Sequence, residues 1–484
     1  MFSVKRSSLD WALLHAEKYG DTDVYPLPFE FSALRHDWTR VAQQLVRQDL
    51  HNSEVRPHRR FLSPKARHGF RIVTQLDPID FLLFTATIRE IGSTIEASRV
   101  DCAQEVVFSY RFTPLSDGQI FDPMVGFGAF QQSTRAFLDE NLNVTHVVVT
   151  DIADFYARIY HHRLENALQA CGVGDNETKV IMRCLHGWNG SESYGIPVGA
   201  AASRVLAEAT LIDVDEALLA QQSQFKQFND DYRIFCTSYT DAYRSLAFLA
   251  DVLFKAHGLT LQGQKTAILT RDDFTERYLR TFEDRTLNHL GAHFHEFLDS
   301  LGLANPYEPI VYSELKPSQQ AAVDQLNLAG VFREEIRSDA GPDHGLLKFV
   351  LARLGQLGDP CVANEALDKI EELHPILPEI VEYLRLVGPA LSESERSGLG
   401  RRMLDLLGKS VASCLEFDRG WILSLFVNDS SWGNSSRFFP MLGGLNDQPS
   451  RRKLILALGR SDNDIGFRHS GATGLTSRNG PVVL

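Results

Sequence analysis

Phe225-Lys-Gln-Phe-Asn-Asp-Asp-Tyr-Arg-Ile-Phe235 is the stretch that decides the fold of this chain. Aromatic and β-branched residues on both sides of Asn229, Asp230 and Asp231 predict a strand, a tight turn and a second strand. Two adjacent carboxylates repel each other at a buried turn, and a divalent cation such as Mg²⁺ turns that repulsion into attraction. Most Asp-Asp pairs are solvated loop residues, so the metal-site interpretation requires a third carboxylate on another strand.

A third carboxylate follows a second strand pattern upstream. His146-Val-Val-Val-Thr-Asp151 is a short apolar run that ends in an acid, as in a buried strand that presents a carboxylate at its C-terminal end. Asp154 precedes a predicted helix and is more simply explained as its N-cap. Asp151, Asp230 and Asp231 are therefore the predicted catalytic residues and metal ligands. Two Mg²⁺ ions about 3.5–4 Å apart would stabilise the attacking and leaving oxygens of a phosphoryl transfer, with Mn²⁺ as an alternative cofactor.

Four motifs together resemble the palm of reverse transcriptases. Asp151-Ile-Ala-Asp-Phe-Tyr156 is similar to the first palm motif of that family, and Phe228-Asn-Asp-Asp231 is similar to the third. Ser193-Tyr-Gly-Ile-Pro-Val-Gly-Ala-Ala-Ala-Ser203 resembles the second motif, and Gly258-Leu-Thr-Leu-Gln-Gly-Gln-Lys265 resembles the fourth. The motifs occur in the order of the family, which makes the match specific although each motif alone is not.

The resemblance implies roles in substrate binding for four further residues. Tyr156 stands where the family carries a bulky side chain beneath the 2′ carbon of the nucleotide, which implies a preference for dNTPs over rNTPs. A core aromatic is the alternative interpretation. Val198 stands where templated reverse transcriptases commonly carry Gln. The sequence therefore leaves open whether the protein copies a general template faithfully. Gly199 and Lys265, from the second and fourth motifs, are the other two.

A basic stretch, residues 55–75, contains no acidic residue. For Arg56–Arg60, a solvated loop and contact with a nucleic-acid backbone are equally good interpretations. Ser63-Pro-Lys65-Ala-Arg-His-Gly69-Phe-Arg71-Ile resembles the fingers of reverse transcriptases, whose basic residues hold the incoming triphosphate. The resemblance implies that Arg71, with its bidentate guanidinium, and Lys65 bind the triphosphate. The basic residues of the stretch are Arg56, His58, Arg59, Arg60, Lys65, Arg67, His68 and Arg71.

Composition predicts a cytoplasmic protein with two or three domains. The 484 residues are 44% hydrophobic and carry a net charge of −13, so nucleic acid would be held by local positive patches. No apolar run approaches the ~18 residues of a membrane span, and residues 1–18 lack a signal-peptide core. The six cysteines show no Cys-X-X-Cys spacing and are interpreted as reduced, mostly buried thiols.

The predicted fold class is α/β: right-hand polymerase fingers and palm of reverse-transcriptase type in residues 1–312, then an all-helical domain in residues 313–484. Helical apolar spacing recurs through residues 315–470 and suggests stacked helical pairs, without a fixed repeat. Residue types that are common in interface cores are concentrated in two segments, Trp421–Phe426 and Arg437–Leu442. These segments either form an interface with another copy of the chain or pack within the domain, and the two interpretations have equal weight.

The N-terminal segment from Ser8 to Glu30, together with Ser109-Tyr-Arg-Phe112, narrows the resemblance to bacterial abortive-infection and defence-associated reverse transcriptases, the unknown-group enzymes. That resemblance implies an anti-phage DNA polymerase that uses dNTPs, works without an external template, primes from a protein hydroxyl and forms homo-oligomers. cDNA synthesis on an associated non-coding RNA is one alternative. A catalytically idle RNA-binding or phage-sensing scaffold is another, which the complete set of acids disfavours.

Overall fold

The computed structural model describes residues 2–66, 69–190, 192–280, 286–301, 309–338 and 341–461. The chain forms two compact units. Met1–Arg60 and Ile72–Glu283 make up the first, and Phe61–Arg71 and Asp284–Leu484 make up the second. The domain boundary predicted at residue 312 therefore falls inside the second unit. Residues 61–71, expected among the fingers, group with the helical part of the chain.

The described helices of the first unit begin with three short elements and include two long ones. They are α1 Arg6–Tyr19, α2 Glu30–His36, α3 Trp38–Leu45, α4 Pro78–Ser98, α5 Phe127–Glu140, α6 Phe155–Arg158, α7 His161–Ala170, α8 Asp175–Asn189, α9 Ala201–Ala220, α10 Tyr239–Val252 and α11 Arg271–Phe274. Strands β1 Arg59–Ala66 and β2 Gly69–Gln75 pair as a two-stranded sheet. The start of β1, up to Arg60, and the end of β2, from Ile72, belong to the first unit, and the residues between them belong to the second.

A four-stranded antiparallel sheet lies at the centre of the first unit, in the order β4-β5-β3-β6. Its strands are β3 His146–Asp151, β4 Gln224–Phe228, β5 Asp231–Cys236 and β6 Ala267–Thr270. The predicted strand, turn and strand are confirmed as the β4–β5 hairpin. Successive side chains of β3 point to opposite faces, so Val148 joins the large helical core while Val147 and Val149 join a smaller core with α5 and α11.

Helix α9 is buried around most of its circumference. Contacts with α4, α7 and α10 cover its different sides. Each fully buried Leu stabilises the fold by about 1.5–3 kcal/mol, which makes α9 a main source of stability. Its buried residues are Ala202, Ser203, Val205, Leu206, Ala207, Glu208, Ala209, Thr210, Leu211, Val214, Asp215 and Leu218.

Residues in the left-handed conformation lie at the termini of two helices. Asp154 is the N-cap residue of α6, as predicted, but it adopts a left-handed conformation (φ 48°) and its side chain accepts no hydrogen bond from a backbone N–H. A left-handed residue at this point instead turns the chain sharply after β3. Gly172, two residues after the last residue of α7, has φ +80°, which glycine adopts without steric strain.

The second unit has a helical interior, and the described residues from 286 to 461 contain no strand. The predicted α/β fold followed by a helical C-terminal region is thereby confirmed. Phe61, near the start of the hairpin segment, stacks on Phe417 with ring centroids 6.1 Å apart. The helices are α12 Thr286–Leu301, α13 Pro317–Leu326, α14 Leu328–Glu335, α15 His344–Gln356, α16 Ala363–Asp368, α17 Ile370–Leu373, α18 Leu377–Val387, α19 Glu393–Lys409, α20 Glu416–Asn428, α21 Phe438–Leu442 and α22 Gln448–Arg460.

The two aromatic segments predicted as interface cores pack mostly inside the second unit. In Trp421–Phe426, the side chain of Phe426 is buried and contacts Phe438 edge-on, with centroids 5.5 Å apart. In Arg437–Leu442, Phe439 is exposed, at 55%. Packing within the domain therefore accounts for most of these aromatic residues, and self-association stays a prediction without a surface assigned to it.

Asp418 lies in the otherwise apolar interior of the second unit. Its side chain is fully buried, and neither carboxylate oxygen has a hydrogen-bond partner among the described residues. Burial raises the pKa of Asp418 to about 7, although the neighbouring Arg419 acts in the opposite direction. A buried acid without partners is held in its neutral form because ionisation would be strongly unfavourable there.

Two further sequence predictions concern membrane-spanning helices and the burial of the cysteine thiols. No helix in the described part of the chain is long and apolar enough to cross a membrane. All six cysteines are free thiols. Cys102, Cys361 and Cys414 are exposed, so the prediction of mostly buried thiols is wrong. Cys361 and Cys414 lie in short connections between helices, and Cys102 lies on the 3₁₀ turn Cys102–Gln104 that follows α4.

Candidate active site

The turn between β4 and β5 holds the first carboxylate in place. Phe228 and Asp231 pair across the hairpin, which leaves Asn229 and Asp230 as a two-residue turn. Asn229 has φ +57°, a conformation that asparagine tolerates better than most residues. Its Nδ2 donates to Asp230 Oδ1 at 2.7 Å, and the buried Gln227 donates to its carbonyl oxygen. Local turn chemistry and one buried amide thus fix the orientation of Asp230.

Antiparallel pairing of β3 and β5 brings the other two carboxylates together. Asp151 lies directly opposite Asp231 in the register, and the backbone N–H of Ile152 donates to the Asp230 carbonyl at 3.0 Å. The Asp151 and Asp230 side chains are also within hydrogen-bonding reach of each other. Asp151, Asp230 and Asp231 therefore meet at one edge of the sheet, although they come from separate segments of the chain.

Electrostatics at this edge favour the arrival of a cation. Burial raises the pKa of Asp230 to about 7, and the charges of Asp151 and Asp231 add to this effect. Lys265 Nζ donates to Asp151 Oδ2 in an ion pair. Burial would lower the pKa of Lys265, but its hydrogen bond with Asp151 and the surrounding carboxylates raise it above the ordinary value. Lys265 thus interacts with all three carboxylates, and the charge of Arg233 also interacts with Asp231.

The donor set fits Mg²⁺, which needs no complete protein cage. In the described part of the chain, no three acidic, histidine or cysteine side chains already converge to hold a metal ion. Magnesium usually keeps several waters and binds through one or two carboxylates together with substrate phosphates. Asp151 and Asp230 supply such a pair, and a cation would offset both the burial that raises the pKa of Asp230 and the neighbouring negative charge that adds to this effect. The residues would therefore hold magnesium once the Lys265 ion pair gives way.

Tyr156 lies on α6, beside the acidic turn. Its hydroxyl donates to Asn229 Oδ1 at 3.2 Å, and its ring meets Phe155 edge-on. Burial raises the pKa of Tyr156 well above the ordinary value, and the nearby Tyr110 adds to this effect. The ring is thus fixed at one end by the turn that carries Asp230.

Val198 and Gly199 form the loop that leads into α9. The Val198 carbonyl accepts a hydrogen bond from Thr74 N at 2.9 Å, so β2 supports this loop. Gly199 has φ +115°, and a Cβ there would lie 3.1 Å from Val73 and 3.2 Å from Thr22. Glycine is therefore required both by the backbone conformation and by the closeness of the neighbours.

The basic stretch divides into two parts. Arg56 donates to Asp80 at 2.8 Å, Arg59 lies over the Tyr25 ring at 5.2 Å, and Arg60 donates to Asn189. These contacts within the first unit favour a structural role for Arg56–Arg60. Lys65 on β1 and Arg71 on β2 are exposed and belong to the second unit. Their role as triphosphate ligands stays a prediction. Arg67 and His68 lie outside the described residues.

Residues 102–294 match the protein family described as Reverse transcriptase (RNA-dependent DNA polymerase). The chain contains a reverse transcriptase domain. The match includes Asp151, Asp230, Asp231, Tyr156, Val198, Gly199 and Lys265, whereas Lys65 and Arg71 lie before it. The family is one of nucleotidyltransferases, and reverse transcriptase domains generally use divalent metal ions. The narrower bacterial defence group stays a prediction.

Solved structures similar to the chain include telomerases from two Candida species. Apo telomerase from Candida tropicalis, truncated from its C-terminal domain, gives a TM-score of 0.33 at 13% identity over 49% of this chain and 54% of that one. Telomerase from Candida albicans, in complex with a fragment of telomeric RNA, gives 0.35 at 10% identity over 86% and 71%. This chain thus spans about half of the first structure. No curated protein matches significantly.

Two polar side chains beside the acidic edge of the reverse transcriptase domain have roles that the sequence did not predict. The buried Gln227 was not singled out, although a polar residue one position before the aromatic of the third motif is a usable signal. Lys265 was predicted to bind substrate, and the structure pairs it with Asp151 instead. The two roles agree if substrate and metal displace this ion pair.

Proposed function

We propose that the chain is a DNA polymerase of reverse-transcriptase type that transfers nucleotides from dNTPs. The observation that supports this most is the register that sets Asp151 opposite Asp231, with Asp230 in the adjoining turn, inside the matched domain. Such a carboxylate group suits two divalent cations and an in-line displacement. In this proposal Asp151, Asp230 and Asp231 are the metal ligands.

The residues around the acids divide the work of the proposed reaction. Bound magnesium would lower the pKa of the attacking hydroxyl and neutralise the departing pyrophosphate. Asn229 contacts both Asp230 and the hydroxyl of Tyr156, and in this proposal the Tyr156 ring would exclude a ribose 2′ hydroxyl. Lys265 would leave Asp151 and turn to phosphate oxygens. Lys65 and Arg71 would hold the triphosphate, and the nucleic-acid strand would bind along local basic surfaces.

The central test replaces the acidic turn. Asp230→Ala combined with Asp231→Ala should abolish incorporation of labelled dNTPs, because truncation removes two of the three proposed metal ligands. The matched control is Asp251→Asn, which removes an exposed acid of the same unit that pairs with Lys255. Circular dichroism and thermal unfolding establish that each variant is folded. Full activity of a folded double variant contradicts the proposal and favours an idle, nucleic-acid-holding scaffold.

The template and the primer form the second part of the proposal. Val198 cannot make the hydrogen bond that a glutamine side chain would make near a template base pair. From the resemblance to abortive-infection reverse transcriptases, we propose synthesis without an external template, primed by a protein hydroxyl, in a bacterial anti-phage system. Purified protein incubated with dNTPs alone should yield protein-linked DNA. Strict dependence on added template and primer would reject this part, and dependence on a co-purified RNA would instead support cDNA synthesis on a non-coding RNA.

Assembly and location are proposed from the resemblance alone. The chain would work in the cytoplasm as a closed homo-oligomer, since closed symmetry is the usual arrangement of soluble assemblies. Light scattering on the full chain should give a multiple of 54.4 kDa at micromolar concentration. A single-chain mass across that range rejects self-association without affecting the proposed chemistry.

A further inference from the structure

Arg204, on the first turns of α9, stands beside the proposed active site. Its guanidinium lies 4.8 Å from the centre of the Tyr110 ring. Tyr110 in turn packs against Phe228, with ring centroids 5.9 Å apart, next to the turn that carries Asp230. The charge of Arg204 also affects the pKa of Tyr156. A partly exposed arginine is thus built into the wall between the acidic edge and the loop at Gly199.

Asp23 neutralises this arginine in the free protein. Its carboxylate accepts a hydrogen bond from Arg204, with side-chain exposures of 42% and 24% for the two residues. Asp23 belongs to the N-terminal segment Gly20–Tyr25, and its backbone N–H donates to the Gly199 carbonyl at 3.3 Å. Because Asp23 is exposed to solvent, its ion pair with Arg204 is weak, and another anion can replace this carboxylate.

The N-terminal segment is docked at an energetic cost. Asp21, two residues before Asp23, is 2% exposed. Its Oδ2 accepts a hydrogen bond from Gln75 Nε2 at 2.9 Å, while Oδ1 has no partner among the described residues. A buried acceptor without a partner is unfavourable. The segment therefore covers Arg204 in a state that a competing ligand can displace.

We propose that Arg204 binds a phosphate of the substrate nucleotide or of the nucleic-acid strand, and that Asp23 is its internal competitor. The inference rests on the proposed function, because that function brings phosphates to this wall. Arginine suits the role, since its fork binds two phosphate oxygens at once. Displacement of Asp23 would free the segment Gly20–Tyr25 from Gly199 when substrate arrives.

The direction in which one substitution changes the affinity for phosphate shows whether Asp23 competes with phosphate or positions Arg204. Asp23→Asn should raise the affinity for phosphate ligands about two- to five-fold, because the competing ion pair is removed. If Asp23 merely positions Arg204, the same substitution lowers the affinity. Arg204→Gln should weaken binding and make the Asp23 substitution silent in the double variant, whereas Arg204→Lys should restore part of the affinity. Arg244→Gln, which removes an exposed arginine of the same unit, is the matched charge control.

Binding is measured without turnover, on folded variants. The probes are dTTP with Mg²⁺, by calorimetry, and a fluorescein-labelled 20-nucleotide oligo(dT), by anisotropy at several salt concentrations. A change confined to the oligonucleotide assigns the phosphate to the strand, and loss of Arg204 should then reduce the salt slope by about 0.7. A change confined to dTTP assigns it to the triphosphate.

Two results overturn the inference. One is binding of both probes that is unchanged in Arg204→Gln, and the other is wild-type protein that binds neither probe. Protein that binds as expected but incorporates no nucleotide refutes the proposed polymerase and leaves the assignment of Arg204 intact. Active polymerase with unaltered binding in Arg204→Gln refutes this assignment alone.

Discussion

At the scale of single residues, the hydroxyl of Tyr156 and the amide of Asn229 connect the proposed sugar selection to the proposed metal binding. Asn229 contacts Tyr156 through its oxygen and Asp230 through its nitrogen. One side chain in a left-handed turn thus orients both the proposed steric barrier and a proposed metal ligand. This arrangement predicts that the ring of Tyr156, and not its hydroxyl, decides between deoxyribose and ribose.

Tyr156→Ala should admit rNTPs, raising their use relative to dNTPs by about 10–100-fold, because the ring that clashes with a 2′ hydroxyl is removed. Tyr156→Phe is the matched control: it keeps the ring, loses the bond to Asn229 and should keep the discrimination. Single-nucleotide incorporation with paired dNTP and rNTP measures the ratio. Equal discrimination in the alanine variant would show that the ring is a core aromatic.

At the scale of elements, the connection after α10 shows how a glycine sets the path of the fourth motif. A π-helical turn, Leu253–His257, follows α10, and Gly258 ends it with φ +67°. A Cβ at Gly258 would lie 2.8 Å from the Tyr160 ring. The chain then runs on to Leu261, which bridges to Ile152 beside the acidic edge, and to Lys265.

Gly258→Ala should destabilise the protein by about 1–2 kcal/mol, because alanine is strained in the left-handed region and its Cβ meets Tyr160. Thermal unfolding should show a midpoint lower by about 2–8 °C. Gly263→Ala tests the same loop at a position with no atom within 4 Å of the added Cβ and should change the midpoint far less. Equal effects of the two substitutions would contradict the account.

At the scale of the whole molecule, stability depends on acids that are buried and neutral. Burial raises the pKa of Asp418 and of Asp21 to about 7, and that of Asp215 to about 8. Ordinary aspartates lose their proton near pH 4. Between these values the folded state holds more protons on these acids than the unfolded chain does, so their contribution to stability falls as the pH rises from about 4 to 8 and then levels off.

Asp418→Asn should remove the contribution of this acid to that fall, since asparagine does not titrate. The difference in unfolding free energy between variant and wild type should grow by about 2–4 kcal/mol in favour of the variant from pH 4 to pH 7.5. Thermal unfolding across this range measures it, with the exposed Asp368→Asn as control. A difference independent of pH would show that Asp418 is ionised in the folded protein.

The sequence predicts the acidic edge well because its signals are local. Asn229 and two aspartates between apolar strands specify a turn, and β3 ends in Asp151 after a continuous apolar run. The ion pair of Lys265 with Asp151 depends on strand order, which no local pattern contains. The burial of α9 likewise depends on neighbouring elements that cover its polar side. In the sequence, the polar residues Glu208 and Asp215 of that side resemble a solvent-exposed face.

The stacking of Phe61 on Phe417 has a consequence for biosynthesis. A ribosome that adds about 5–20 residues per second releases the first ring tens of seconds before the second. During that interval Phe61 lacks the ring of Phe417, and this apolar side chain is open to chaperones. A shortened protein that ends before α20 would remain permanently in this condition and should be recovered bound to folding factors or in aggregates.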